Sequence, residues 1–159
     1  MQYFDNEENK SYIPYVIETS IGLDRMFLQI LVASYTKEHT KKENAERILM
    51  KIPTALAPVK VAVLPLVRKD NLPEIARNIY KDLKLEFCVQ YDEKDSIGRR
   101  YRRHDAIGTP YCITIDHDTL DNNTVTVRYR DSMQQKRLSI DLLKEYIAKK
   151  VSMQQLLKK

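Results

Sequence analysis

Apolar and polar positions alternate differently in three zones of the chain. Residues 12–35, YIPYVIETSIGLDRMFLQILVASY, predict a strand running into a helix. Tyr15, Ile17 and Thr19 share one strand face, and Val16, Glu18 and Ser20 share the other. Leu23, Met26, Phe27, Ile30, Leu31 and Ser34 then recur at helical spacing as one apolar stripe. One strand and one helix cannot close a core. The zone is therefore expected to end a larger domain, with Met1 an internal or artificial start.

The second zone, TKEHTKKENAERILMKIPTALAP, begins charged and closes on Pro53 and Pro58. It reads as a connector with an extended piece around Arg47 to Ile52. From Val59 onward the pattern becomes that of an α/β domain. VKVAVLPLV is a strand of the kind buried on both faces. DNLPEIARNIYKDLKLE is a helix, with Asp70 or Asn71 as cap and Pro73 in its first turn. Its stripe is Leu72, Ile75, Ala76, Ile79, Tyr80 and Leu83. FCVQY is a second strand. Ser96 then caps a short helix that Gly108 ends. PYCITID is a third strand, NNTVTVRYRD and QQKRLSI form a hairpin, and SIDLLKEYIAKKVSMQQLL is a closing helix. The expected order is βαβαβββα, a mixed sheet flanked by three helices.

Composition narrows the function. The chain has 159 residues, 43% hydrophobic and 31% charged, with formal net charge +5. That charge mildly favours a polyanionic partner such as RNA. Cys88 and Cys112 sit in apolar runs and are expected to be reduced and buried. His39, His104 and His117 form no ligand cluster, so no metal site is expected. No run approaches the ~20 apolar residues of a membrane span, and no signal-peptide pattern opens the chain. Three glycines exclude a glycine-rich phosphate loop.

The most conspicuous local feature is SIGRRYRRHDAIGTP, residues 96–110. At ~100° per residue, Ile97, Tyr101 and His104 share one helix face. Arg99, Arg102 and Arg103 spread over the opposite face, with Arg100 near the border. Three readings stay open: a solvated basic face, phosphate contact, or base reading. Arginine suits bidentate phosphate binding, which favours phosphate contact over base reading.

The strand-to-helix zone also carries candidate chemistry. Glu18 and Ser20, two apart on a strand, face the same way and are suited to hold an ammonium group. Arg25 lies in the first helical turns, where a bound phosphate relieves its conflict with the helix dipole. Gly22 lets a flat ligand approach the backbone. The competing reading is an Asp24–Arg25 surface pair, with Glu18 hydrogen-bonded at a strand end.

PYVIETSIGLDR, residues 14–25, resembles the third signature motif of class II aminoacyl-tRNA synthetases in its glycyl form, P-x-V-I-E-P-S-x-G-x-x-R. Thr19 replaces the usual proline. LAPVKVAVLPL, YDEKDSIGRRYRRHDAIGTPYCITID and DNNTVTVRYRD resemble the anticodon-binding domain of the same family, the bacterial homodimeric glycyl-tRNA synthetases. The resemblance implies a class II anticodon-binding domain at 59–159, a connector at 51–58, and the end of a catalytic core at 1–50. The family joins glycine to ATP, with Mg2+, and passes it to tRNA(Gly) in the cytoplasm as a homodimer. By motif position, Glu18, Thr19, Ser20, Ile21 and Gly22 are implied to meet glycine. Gly22, Leu23, Asp24 and Arg25 are implied to meet ATP. For tRNA the resemblance implies Arg99, Arg102 and Arg103 at phosphates, and Asp118, Arg128 and Arg130 at anticodon bases. Ion pairing with acids such as Asp131 or Asp141 is the competing reading for Arg128 and Arg130. The family's first two motifs do not appear, so this chain alone is expected to form no glycyl-adenylate. A non-catalytic relative, such as a DNA polymerase accessory subunit, is the alternative of a different class. A basic helix that binds acidic protein is a third reading.

Overall fold

The computed structural model describes residues 2–40 and 45–158; Met1, Lys159 and residues 41–44 within the connector zone lie outside it. A hairpin of β1 (Tyr3–Asp5) and β2 (Lys10–Tyr12) comes first, with Tyr3 and Tyr12 edge to face at 5.7 Å. Residues 13–22 follow without strand or helix and are exposed throughout. The strand expected at 12–20 is thus absent as such, because no described strand pairs with it and a lone strand leaves its backbone groups to water. The expected helix is present as α1 (Leu23–Ser34), but much of its stripe, including Leu23 and Phe27, is exposed.

The connector zone differs more. β3 (Tyr35–Thr40) and β4 (Ala45–Met50) form an antiparallel hairpin whose second strand packs on the arginine helix. Residues 51–58 are also anchored: Ile52 and Ala57 are buried, and Lys60 Nζ donates to the carbonyls of Ala55 and Ala57 at 2.7 Å each.

The α/β unit comprises β5 (Val61–Pro65), α2 (Leu72–Leu83), β6 (Val89–Tyr91), α3 (Ile97–Ile107) and β7 (Tyr111–Ile115). It continues with α4 (His117–Asn122), β8 (Thr124–Tyr129), β9 (Gln135–Ser139), α5 (Ile140–Val151) and α6 (Met153–Leu157). The sheet order is β6-β5-β7-β8-β9; β5 is parallel to β6 and β7, and the rest is antiparallel. Val61, Val63 and Ile113 point to one face, where Leu72, Ala76, Ile79 and Leu83 of α2 and Leu143 and Ile147 of α5 cover them. Ala62, Leu64 and Cys112 point to the other, against Ile97 and Tyr101 of α3. β5 is therefore buried on both faces, as its unbroken apolar run predicts.

Boundaries and caps depart in detail from the expected pattern. Asp70 and Asn71 both adopt left-handed backbone, and Asn71 occupies the cap position of α2 without a side-chain bond. Ser96 likewise precedes α3 without capping it, whereas Gly108 does end it, at φ 85°. A Cβ there would lie 2.9 Å from Ile52 Cδ1, so only glycine fits the turn. α4 was not expected; Asp116 and Thr119 form its capping box. The closing helix breaks at the extended Ser152, whose hydroxyl accepts from the Gln154 amide and starts α6. Cys112 is buried as expected, but Cys88 is exposed at the edge-strand end of the sheet.

Candidate nucleic-acid interface

α2 leaves β5 on one face of the sheet, while α3 leaves β6 on the other. The two loops part there, and a crevice opens at the carboxyl ends of the strands, where α/β sheets bind ligands. Pro65, Leu66, Val67, Arg68, Glu93, Asp95 and Arg100 line it. Arg100, expected near the helix border, is 2% exposed. Its Nη1 donates to the carbonyls of Pro65 (2.6 Å) and Asp92 (3.1 Å), and Nη2 to that of Leu66 (3.1 Å). It therefore ties the two strand ends together. Among the described residues its Nε has no partner and no carboxylate forms an ion pair with it, and burial lowers its pKa. Arg103 clamps the neighbouring loop, donating to Asp95 (2.7 Å), Asp92 (2.8 Å) and the Lys94 carbonyl (2.6 Å). Burial works against the Asp92 charge, but the Lys94 amide and Arg103 outweigh it and hold its pKa below the usual value. Arg68, Lys94 and Arg99 are exposed beside the crevice.

A second arginine cluster lies between α3, β4 and β8. Asp105 is wholly buried and accepts from Arg128 Nη1 and Nη2, at 2.8 and 3.0 Å. It also accepts from Arg47 Nε at 3.1 Å. Arg128 lies over the Tyr101 ring at 4.6 Å, and the Tyr101 hydroxyl meets Thr114 Oγ1 at 2.6 Å. Burial opposes the Arg128 charge; the Asp105 hydrogen bonds outweigh it and raise the pKa. Arg47 also donates to Glu38 at 2.9 Å and to the Arg130 carbonyl. Arg130 donates to the Gly108 carbonyl at 2.8 Å and to Asp131 at 2.7 and 3.1 Å. Arg128 lies in β8 and Arg130 just beyond its end, and both side chains turn inward. The place at anticodon bases implied for them meets this packing: both are buried, and Arg130 pairs with Asp131, an acid of the competing reading.

The remaining expected positions are spread out. Asp118 is exposed in α4, 3.5 Å from Arg137 Nη1, and Arg137 is held mainly by Asp116 at 2.6 and 2.7 Å. Arg99 is exposed, and Arg102 is half-buried with Nη1 3.5 Å from the Glu46 carbonyl. Glu18, Thr19, Ser20, Ile21, Gly22, Leu23, Asp24 and Arg25 are all exposed. With no strand under them, Glu18 and Ser20 are not held on a common face. Nothing stands opposite Arg25 among the described residues to enclose a nucleotide. Among the described residues, no group of His, Cys, Asp and Glu side chains is gathered for a metal. No described helix is long and apolar enough to cross a membrane. The Arg47–Asp105–Arg128 network escaped the sequence reading because its members are 58 and 23 residues apart. The lone acid in RRYRRHD was its only local signal.

Sheet order, helices on both faces and a crevice with cations beside it define a mixed α/β domain with a surface suited to a polyanion. The family model described as Anticodon binding domain matches residues 60–150, and the chain belongs to that family. It is 48% identical over 95% of its length to "Glycine--tRNA ligase" of Chlorobaculum tepidum. It is also 48% identical over 96% of its length to that of Thermobifida fusca, and 50% over 95% to that of Clostridium kluyveri. The chain spans about a third of the length of these relatives, 32%, 34% and 32% respectively. Solved structures show the same fold. A prolyl-tRNA synthetase from Cryptosporidium parvum superposes with TM-score 0.58 and 22% identity, over 63% of this chain and 22% of that one. The RNA binding domain of a threonyl-tRNA synthetase from Cryptosporidium parvum gives 0.57 and 24%, over 63% and 25%.

Proposed function

We propose that this chain is the tRNA-binding portion of a glycine–tRNA ligase, and that its five-stranded domain holds the anticodon arm of tRNA(Gly). The observation that carries the reading is near-half identity to such ligases along almost the whole chain. The crevice between β5 and β6 supplies the geometry. Arg68 lines it, Lys94 and Arg99 are exposed near its Asp95, and α3 begins there with the positive end of its dipole. On this reading Arg128 and Arg130, paired as they are, serve the frame of the domain, and Arg103 serves the loop beside the crevice. In the whole protein, on this reading, glycine is activated with ATP and Mg2+ and passed to tRNA(Gly) by a cytoplasmic homodimer. Glu18 to Gly22 would serve glycine and Gly22 to Arg25 ATP, by motif position alone.

Binding of the chain to tRNA(Gly) and to the same tRNA with a changed anticodon tests this. The expected preference for tRNA(Gly) is at least about fivefold, the lower end of what one placed base contact discriminates. Equal affinity for both at every salt concentration would reduce the domain to a nonspecific polyanion binder.

A further inference from the structure

The other face of the sheet carries a cationic surface that the arginine-rich motif hides from notice. α2 buries Leu72, Ala76, Ile79 and Leu83 and turns Arg77, Lys81 and Lys84 to solvent at i, i+4 and i+7. With Tyr80, Val89, Gln90 and Tyr91 they line a groove along β6, an edge strand, and no acid lines it. Arg77 lies 5.7 Å over the Tyr91 ring and Lys84 lies 5.4 Å over that of Tyr80. The two rings meet edge to face at 6.2 Å. Such contacts position a cation without neutralising it.

Charges on α2 and its neighbours are segregated. Asp82 and Glu86 turn away to Lys144 of α5, at 4.0 and 2.9 Å. Glu74 is exposed a turn above Arg77 and does not line the groove. Arg77 reaches Glu93 at 3.4 Å, but among the described residues Lys81 and Lys84 have no carboxylate partner. Three like charges in two turns repel one another, a repulsion that a polyanion on the groove would remove. Glu93 also joins groove to crevice. Its carbonyl accepts from Arg68 at 2.8 Å, while its carboxylate accepts from the Tyr91 hydroxyl and Arg77.

We propose that this groove is a second RNA contact, along which single-stranded phosphodiester backbone leaving the crevice runs down α2. Its phosphates meet Arg77, Lys81 and Lys84 over the Tyr80–Tyr91 floor. The proposal rests on the RNA-binding reading of the domain. Continuity with the crevice favours RNA over an acidic polypeptide as the occupant.

The test is fluorescence anisotropy of labelled tRNA(Gly) with the full chain across a salt series. The Arg77→Gln, Lys81→Gln, Lys84→Gln triple variant should lower the salt slope by about 2 units, since each single-strand phosphate contact contributes about 0.7. Affinity at low salt should fall at least about tenfold, with the preference for the cognate anticodon retained. Lys81→Gln alone, which breaks no observed contact, should lower the slope by about 0.7. Wild-type slope and affinity in both variants would overturn the groove and leave the crevice reading standing. Loss of polyglutamate binding with RNA binding unchanged would also overturn it, in favour of an acidic polypeptide. If the wild-type chain bound no tRNA, groove and crevice readings would fall together.

Discussion

Helices α2 and α3 cover opposite faces of one sheet, and both carry cations at helical spacing. On α3 the cations are mostly committed. Arg100 holds backbone carbonyls, Arg103 holds Asp92 and Asp95, and Asp105 beneath them gathers Arg47 and Arg128. On α2 and at its end, Lys81 and Lys84 have no carboxylate partner among the described residues, and Arg77 has one long contact. The eye-catching arginine motif is chiefly a framework device, and the quieter helix presents more uncompensated charge. Density of charge along a sequence does not locate the charge offered to a partner; the acids brought in from distant segments decide that.

The sharpest way to break this contrast is Asp105→Asn. It leaves Arg128 buried without its counter-ion and Arg47 with Glu38 as its remaining acid, and breaking such a buried pair costs about 3–5 kcal/mol. Urea denaturation should show that loss, and the β3–β4 hairpin should lose protection from hydrogen exchange, because Arg47 anchors it to α3. A loss below about 1 kcal/mol, typical of surface pairs, would mean that the cluster is not a framework element.

A smaller effect comes from His104, on the inward face of α3. Burial lowers its pKa from 6.5; Nδ1 faces Thr109 Oγ1 at 3.5 Å, and Nε2 has no partner. The unfolded chain therefore takes up a proton near pH 6.5 that the folded chain resists until lower pH. Stability is full above that pH and falls as the pH drops through the window. His104→Phe should flatten the pH dependence of the urea midpoint just below pH 6.5, leaving the acid limb due to Asp92 and Asp95, whose pKa values are also lowered. An unchanged slope would show that His104 takes up its proton as readily in the fold as in the unfolded chain.

Much of the sheet was legible because its strands are constrained on both faces. The unbroken run of β5 and the stripe of α2 each admit one reading. The β3–β4 hairpin was not legible: its charged residues resemble a connector until Arg47 finds Asp105. α4 is too short to show a period. For the site, the sequence sets Arg128 and Arg130 two residues apart but does not say which way either side chain turns. That depends on Asp105 and Gly108, which the chain supplies from α3 and its end. The lysines of α2 passed unnoticed because a polar helix face is the ordinary outcome; Tyr80 and Tyr91 mark it only once β6 lies alongside.

Two arginines four residues apart on α3 give the most direct test of the central claim. Arg99 is exposed near Asp95 of the crevice, and Arg103 is clamped by Asp92 and Asp95. The measurement is the salt slope of tRNA(Gly) binding for Arg99→Gln and Arg103→Gln. The account predicts that Arg99→Gln lowers the slope by about 0.7–0.9, whereas Arg103→Gln leaves it near the wild-type value. A full phosphate's worth of slope lost in Arg103→Gln, with Arg99→Gln unchanged, would contradict it.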